Sequence, residues 1–297
     1  MKAEGRSRTK QRLRAGICVI GAGNWGSSLA AGVAGSEISL VEVVGRKASS
    51  RRFGKLTVTS FRKAAFDAEV LWICVPDGEI AEAAAAIAAR RGGLRGQVVL
   101  HSSGALTITV LESVKRAGAL VGGVAPVFSF ATREPVALAG LLFAVESAVG
   151  LSRKLAAIVR KLGGRPFGIS AEKKVLYHAA ATMASPLLVS ALDGAVRTAG
   201  LAGLSAEDAK AVVEVLAEVT LRNYFEKGSE RSFSGAFARG DVGTVELHLR
   251  ELLAHPTLSD VYRALAANAV ESLPVRNALE FRRILGDSMV GKERVRN

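Results

Sequence analysis

The order of apolar segments between residues 16 and 170 constrains this chain more than any other feature. Short β-branched runs at Ile17–Ile20, Ile38–Val44, Leu56–Thr59, Val70–Val75, Gln97–Leu100, Ala119–Val124 and Leu142–Val145 alternate with helix-forming stretches at Ser27–Ala34, Ile80–Arg90, Leu106–Arg116 and Ser152–Leu162. This alternation predicts an α/β fold with a doubly wound parallel sheet, and strands apolar at nearly every position predict helices on both faces. After Ile169 the strand signals stop. Glu172–Thr198 has helical periodicity; Ser205 with Asp208 predicts a capped helix to Lys227, stopped by Gly228; later helices are expected near Asp241, Ser259 and Pro274. The expected organisation is a basic flexible tail over 1–14, an α/β domain over 15–170, an all-α domain over 171–290 and a tail over 291–297.

The first strand runs into Gly21, Ala22, Gly23, Asn24, Trp25 and Gly26, and a helical stretch follows at once. A G-x-G-x-x-G spacing alone is a glycine-rich turn; in a strand-turn-helix context at the start of an α/β domain it predicts a Rossmann-like dinucleotide site. Gly21 permits the tight turn, Gly23 admits a pyrophosphate to the backbone, Gly26 lets helix and strand pack, and the helix N-terminus offers N–H groups to the anion. About 20 residues on, where an NAD site normally carries a carboxylate, the chain has Arg46 and Lys47. A guanidinium can fork onto a 2′-phosphate, which favours NADP(H) over NAD(H); the alternative is a solvated basic pair, with Glu42 inside the strand as the NAD-type carboxylate.

Two further strand ends are polar at the ligand-binding edge of such sheets. Val75, Pro76 and Asp77 are expected along the ribose and nicotinamide, with Ser102 and Ser103 at the nicotinamide end and His101 toward the substrate; helix capping is the competing role for Asp77 and Ser102. In the helical part, Lys174 and His178 are spaced i, i+4 and so share a helix face, where an ammonium and an imidazole can exchange protons with a carbonyl or imine. The competing reading is a solvated first turn with His178 packed in an interface. The segment SFSGAFARGDVGTVELH offers Arg239, Asp241, Thr244 and His248 as substrate contacts, or an Arg239–Asp241 pair that only fixes the turn.

The net charge of +13 invites an anionic macromolecule as partner, but its location argues otherwise. Residues 1–14 carry +5 and residues 282–297 carry +3, leaving an ordinary +5 on the 267 residues between. Only 5% of residues are aromatic and no base-reading motif accompanies the charge, so nucleic-acid binding is not expected. No signal-peptide pattern and no run of about 18 uninterrupted apolar residues is visible, so a cytoplasmic location without a membrane span is expected. Cys18 and Cys74 sit in apolar runs and behave as small hydrophobes; no metal site is expected.

Taken together, GAGNWG, VPD, HSSGAL, YHAAA and ARGD-x-x-T-x-x-x-H, in this order over nearly the whole chain, resemble the bacterial Rossmann-like oxidoreductases with a helical C-terminal domain of unknown function 2520. These look related to pyrroline-5-carboxylate reductases, 6-phosphogluconate dehydrogenases and deazaflavin-dependent NADP oxidoreductases. The resemblance implies an NAD(P) domain, a small-molecule substrate, and a helical domain that helps form a homodimer. Departures are visible. Ala125 precedes Pro126 where the family usually has His-Pro, Ser185–Pro186 stands where it has Ser-Asn, and Ser234, Gly235 and Ala236 stand for its Thr-Gly-Pro. Related hydroxyacid dehydrogenases place Lys and Asn four residues apart, where this chain has Lys174 and His178. The lost histidine and asparagine keep a second reading open, a nucleotide-binding sensor or scaffold without turnover.

Overall fold

The computed structural model describes residues 13–148 and 150–286. The two tails expected at 1–14 and 291–297 lie outside the described residues except for Leu13 and Arg14. Arg14 opens the first strand, where its N–H donates to Asp67 O at 2.9 Å.

Nine strands, β1 (Arg14–Ile20), β2 (Leu40–Gly45), β3 (Ser49–Phe53), β4 (Leu56–Ser60), β5 (Ala68–Ile73), β6 (Val98–His101), β7 (Leu120–Pro126), β8 (Leu142–Ser147) and β9 (Arg165–Gly168), form one sheet among the described residues. Their order is β3-β4-β2-β1-β5-β6-β7-β8-β9. The sheet is mostly parallel, but β3 pairs antiparallel with β4 and β8 antiparallel with β7. Both unexpected strands are edges. The sequence SSRRF of β3 carries no apolar alternation, and β9 is four residues long with a proline, which an edge tolerates because one side of its ladder is unpaired.

Helices α1 (Asn24–Ala34), α2 (Ile80–Arg91), α3 (Glu112–Arg116) and α4 (Ser152–Lys161) cover the two faces. Side-chain alternation sorts the core accordingly. Ile17 and Val19 of β1 join Leu29 and Val33 of α1 and Leu155 and Val159 of α4, whereas Cys18 and Ile20 join Ile80, Ala84 and Ile87 of α2. Expected helix Leu106–Arg116 is a 3-10 turn, Ile108–Leu111, running into α3.

The single helix expected over Glu172–Thr198 is two, α5 (Ala171–Ala184) and α6 (Pro186–Leu201). Pro186 has no N–H to continue α5 and instead occupies the first turn of α6. Two compact units meet in sequence between Thr182 and Met183, so most of α5 belongs with the sheet. Phe167 of β9 against Tyr177 of α5, ring centroids 5.8 Å apart, is one reason.

The second unit contains α6, α7 (Ala206–Ser232), α8 (Ala236–Arg239), α9 (Val242–Leu252), α10 (Pro256–Ser272) and α11 (Ala278–Leu285). Ser205 caps α7 by accepting the Asp208 N–H at 3.0 Å, and Gly228, at φ 78°, interrupts it as expected. α10 starts three positions before the expected Ser259, because Pro256 can open a helix, and α11 starts after Asn277 rather than at Pro274. Val245, Leu249, Val270 and Phe281 form this unit's own core.

Candidate functional site

The sheet's strand order reverses direction beside β1, between β1 and β5, the place where ligands bind in open α/β sheets. The glycine loop sits there. Gly21 donates to Val44 O at 2.8 Å and has φ +108°; a Cβ on it would stand 2.6 Å from Cys74 O. A Cβ on Gly26 would stand 1.7 Å from Gly21 O, so the helix can approach the strand only without one. Gly23 differs, since nothing lies within 4 Å of where its Cβ would be. It is exposed at the N-cap of α1, and the first helical hydrogen bond is donated by Ser27 to Gly23 O, so the N–H groups of Asn24, Trp25 and Gly26 have no helical partner. That is the cradle a pyrophosphate requires. Asn24 is turned elsewhere: its amide donates to Phe130 O at 2.8 Å and ties the loop to the β7–β8 connection.

Arg46 lies at the end of β2, and its Nη2 donates to both carboxylate oxygens of Glu79, at 2.8 and 3.0 Å. Its side chain is 82% exposed, and an exposed pair of this kind contributes only about 0–1 kcal/mol, so a dianionic phosphate can displace the carboxylate. Lys47 beside it is exposed. Glu42, the alternative NAD-type carboxylate, is already engaged. Its oxygens accept the N–H groups of Ala65 and Phe66 and a weak bond from the Cys18 thiol. A basic residue not singled out from the sequence also reaches the loop: Arg51 of β3 donates to Ser27 Oγ at 2.8 Å and to the carbonyl of Arg133.

At the ends of β5 and β6 the structure separates roles that the sequence left joined. Val75 is half-buried, Pro76 and Asp77 are exposed, and Asp77 opens a 3-10 turn without capping it. The Asp77 carboxylate instead accepts the Ser103 hydroxyl at 2.7 Å. Ser103 Oγ in turn accepts the N–H groups of Ala105 and Leu106, at 3.1 and 2.8 Å, and the Ser103 N–H goes to His101 Nδ1. With its donor and both lone pairs committed, the Ser103 side chain caps a turn and cannot also serve a cofactor, contrary to expectation. Ser102 makes no cap; its Oγ accepts the indole N–H of Trp25 at 2.7 Å and of Trp72 at 2.8 Å.

The expectations for His101 and Lys174 also need correction. His101 is fully buried, so it does not face a substrate, and desolvation together with the nearby Lys174 charge pushes its pKa down to about 3. It is therefore neutral, with Nδ1 as acceptor and Nε2 without a hydrogen-bond partner. Lys174 does not share an open face with His178. It is 1% exposed, and its Nζ donates to Glu146 Oε2 at 2.8 Å while Glu146 Oε1 accepts the Ile108 N–H at 3.0 Å. The cluster packs closely on Gly123, where a Cβ would stand 3.1 Å from both His101 Nε2 and Lys174 Nζ and would require them to give by a few tenths of an ångström. His178 alone keeps an exposed position; its Nδ1 lies 2.8 Å from where a Cβ on Gly104 would be, just past Ser102 and Ser103.

In the second unit, Arg239 donates from Nε and Nη2 to Asp241 Oδ2, both at 2.9 Å, which is the turn-fixing pair. Asn277 Nδ2 donates to Gly240 O at 3.0 Å and braces the same turn. Thr244 is exposed, and His248 Nδ1 meets Tyr262 Oη at 3.0 Å. Among the described residues no group of three His, Cys, Asp or Glu could hold a metal ion.

Glu146, Glu79, Trp72 and Arg51 were missed as site residues. Glu146 had a signal in sequence, a carboxylate ending the buried run LFAVES, but its partner is 28 residues away. Glu79 and Trp72 had none, since their partners at the site, Arg46 and Ser102, are 33 and 30 residues away.

Residues 1–126 match the model of a Rossmann-like domain, and residues 141–269 match the model of a domain of unknown function 2520. No curated protein matches the sequence. Among solved structures the chain is similar to a protein of Thermotoga maritima (21% identity, 92% of this chain and 99% of that one, TM-score 0.67). It is also similar to a reductive aminase of Aspergillus terreus in complex with NADPH and ethyl-5-oxohexanoate (13% identity, 92% and 100%, TM-score 0.63). A third is a pyrroline carboxylate reductase of Plasmodium falciparum with NADP bound (14% identity, 93% and 100%, TM-score 0.54). At these identities the likeness is one of fold.

Proposed function

The chain belongs to the Rossmann-like proteins that carry a domain of unknown function 2520, and from that premise we propose that it is an NADP(H)-dependent oxidoreductase acting on a small carbonyl or imine compound. The observation that carries this reading is the open cradle at Gly23 with Arg46 exposed at the end of β2 and Glu42 withdrawn into backbone hydrogen bonds. The free N–H groups of the loop would hold the pyrophosphate and Arg46, exchanging Glu79, the 2′-phosphate; Lys47 adds charge nearby, and Val75 and Pro76 line the ribose side. When bound, NADP(H) supplies the hydride, so the protein need only orient the substrate and move a proton. His178, exposed beside Gly104, is the proposed proton donor to the substrate oxygen or nitrogen. Lys174, held by Glu146, anchors α5 so that His178 keeps that place. Arg239, Asp241, Thr244 and His248 remain candidates for substrate contact, the exposed Arg239 for an anionic group.

The turnover experiment is incubation of NADPH with a panel of keto acids, aldehydes and cyclic imines. Oxidation of NADPH with at least one substrate, reduced at least tenfold in His178→Ala, is expected. A second reading, a nucleotide-binding sensor, is favoured by Ala125 in place of a histidine and by the burial of the Lys174 ammonium. NADPH binding without turnover across the panel would establish it instead.

We also propose a homodimer formed through the helical unit. α6 and α7 expose Leu187, Val189, Val215, Leu216 and Phe225, the last at 81%. α6 is also the second half of the one stretch among the described residues, Ala171–Leu201, that is long and apolar enough to cross a membrane. That stretch is interrupted at Ser185, and a second copy covering α6 and α7 accounts for the apolarity of their exposed faces without lipid. Sedimentation should give twice the chain mass, with Phe225→Glu shifting it to the monomer; a wild-type monomer would contradict the proposal.

A further inference from the structure

The chain has only two tryptophans, Trp25 in the first turn of α1 and Trp72 on β5, and both indole N–H groups donate to the same atom, Ser102 Oγ, at 2.7 and 2.8 Å. A hydroxyl has two lone pairs and one hydrogen. With both lone pairs filled by indoles, Ser102 can act only as a donor. Its other side-chain polar contact among the described residues is Cys74 Sγ at 3.8 Å. Cys74 is positioned to accept, because its own thiol hydrogen points to Trp72 O at 3.7 Å and burial pushes its pKa up to about 12, so it stays a thiol. Sulfur is a weak acceptor at that distance. The hydroxyl hydrogen is therefore only weakly held, at the end of β6, one strand beyond the reversal between β1 and β5, and two N–H donors on its oxygen strengthen it as a donor.

We propose that Ser102 is a one-way hydrogen-bond donor to the carboxamide oxygen of the nicotinamide, with Trp25 and Trp72 as the residues that fix its direction. This rests on the NADP(H) reading and adds to it the orientation of the carboxamide: its oxygen toward Ser102 and its NH2 group away, since an NH2 facing Ser102 would meet a hydroxyl with no lone pair to offer. Trp25 also links the loop that receives the pyrophosphate to the hydroxyl that receives the ring.

The clamp itself is tested without cofactor. The two indole N–H resonances should be protected from exchange in the wild type, and both should lose protection at least tenfold in Ser102→Ala; unchanged exchange would overturn the clamp. The ligand is tested with two probes, NADPH and 2′-phospho-ADP-ribose, which lacks the nicotinamide. Ser102→Ala should weaken NADPH by about threefold to tenfold, the loss of one hydrogen bond, and leave 2′-phospho-ADP-ribose unchanged. Equal weakening of both, or of neither, would overturn the assignment. Trp72→Phe, which keeps an aromatic ring but removes one N–H, should reproduce the split in smaller measure. The analogue with an acetyl group in place of the carboxamide keeps the oxygen and loses the NH2, so it should retain the full Ser102 dependence; loss of that dependence would reverse the assigned orientation. If the wild type binds neither probe, the NADP(H) reading fails while the exchange measurement still judges the clamp.

Discussion

Replacing Lys174 by alanine is expected to remove about 3–5 kcal/mol of folding stability, read as a lower denaturation midpoint in urea. The size follows from what would remain. Glu146, with its side chain 5% exposed, would keep a single backbone N–H as partner and no counter-charge. Against a total of about 5–15 kcal/mol for a typical domain, such a loss is a large share, and Lys174→Ala can fail to fold. The pair Lys174→Met with Glu146→Leu is the informative companion, since exchanging a whole buried ion pair for apolar groups of similar volume is near neutral or stabilising. A cost below about 1 kcal/mol for Lys174→Ala alone would mean that the pair is solvated, as surface pairs are. The double variant also tests the proposed division of labour. With the two apolar side chains packing where the ion pair held α5, it should bind NADPH and retain turnover through His178; a folded, NADPH-binding double variant whose turnover is lost, and is not restored in Lys174→Arg with Glu146 intact, would mean that the pair does more than anchor the helix.

The second large effect is a contrast between two glycines three residues apart. Gly23→Ala should fold as the wild type does, because its φ of −75° and ψ of −163° suit alanine and the added Cβ meets nothing. Its affinity for NADPH should nevertheless fall about tenfold to a hundredfold, the equivalent of one or two charge-assisted hydrogen bonds lost as the phosphate is pushed off the backbone. Gly26→Ala should lose stability and binding together, because the 1.7 Å approach to Gly21 O can be relieved only by moving backbone. Melting temperature without cofactor and a titration with NADPH separate the two cases. Undiminished NADPH affinity in Gly23→Ala would mean that the open space at residue 23 is not where the phosphates go.

The sequence carried the elements whose pattern is local. Alternation of apolar runs specified seven of the strands, and the G-x-G-x-x-G spacing specified the loop, because burial on both sheet faces and the glycine contacts leave marks within a few residues. It failed where the deciding partner is distant or the element is an edge. β3 and β9 bury little, so their composition is polar or interrupted by proline. Lys174 looked like an exposed neighbour of His178 because i, i+4 spacing says which residues share a face and not what covers it. Glu146, on β8, settles that point. Ser102 and Ser103 are adjacent and chemically identical in sequence, yet one caps a turn and the other is held by two indoles. Only the strand order that brings β1, β5 and β6 side by side distinguishes them.

Calorimetric titration of the wild-type protein with NADPH and with NADH tests whether the cofactor site is built for a 2′-phosphate. NADPH should bind at least tenfold more tightly than NADH, and Arg46→Ala should bring the two together. Binding of neither, or tighter binding of NADH, would contradict a 2′-phosphate site.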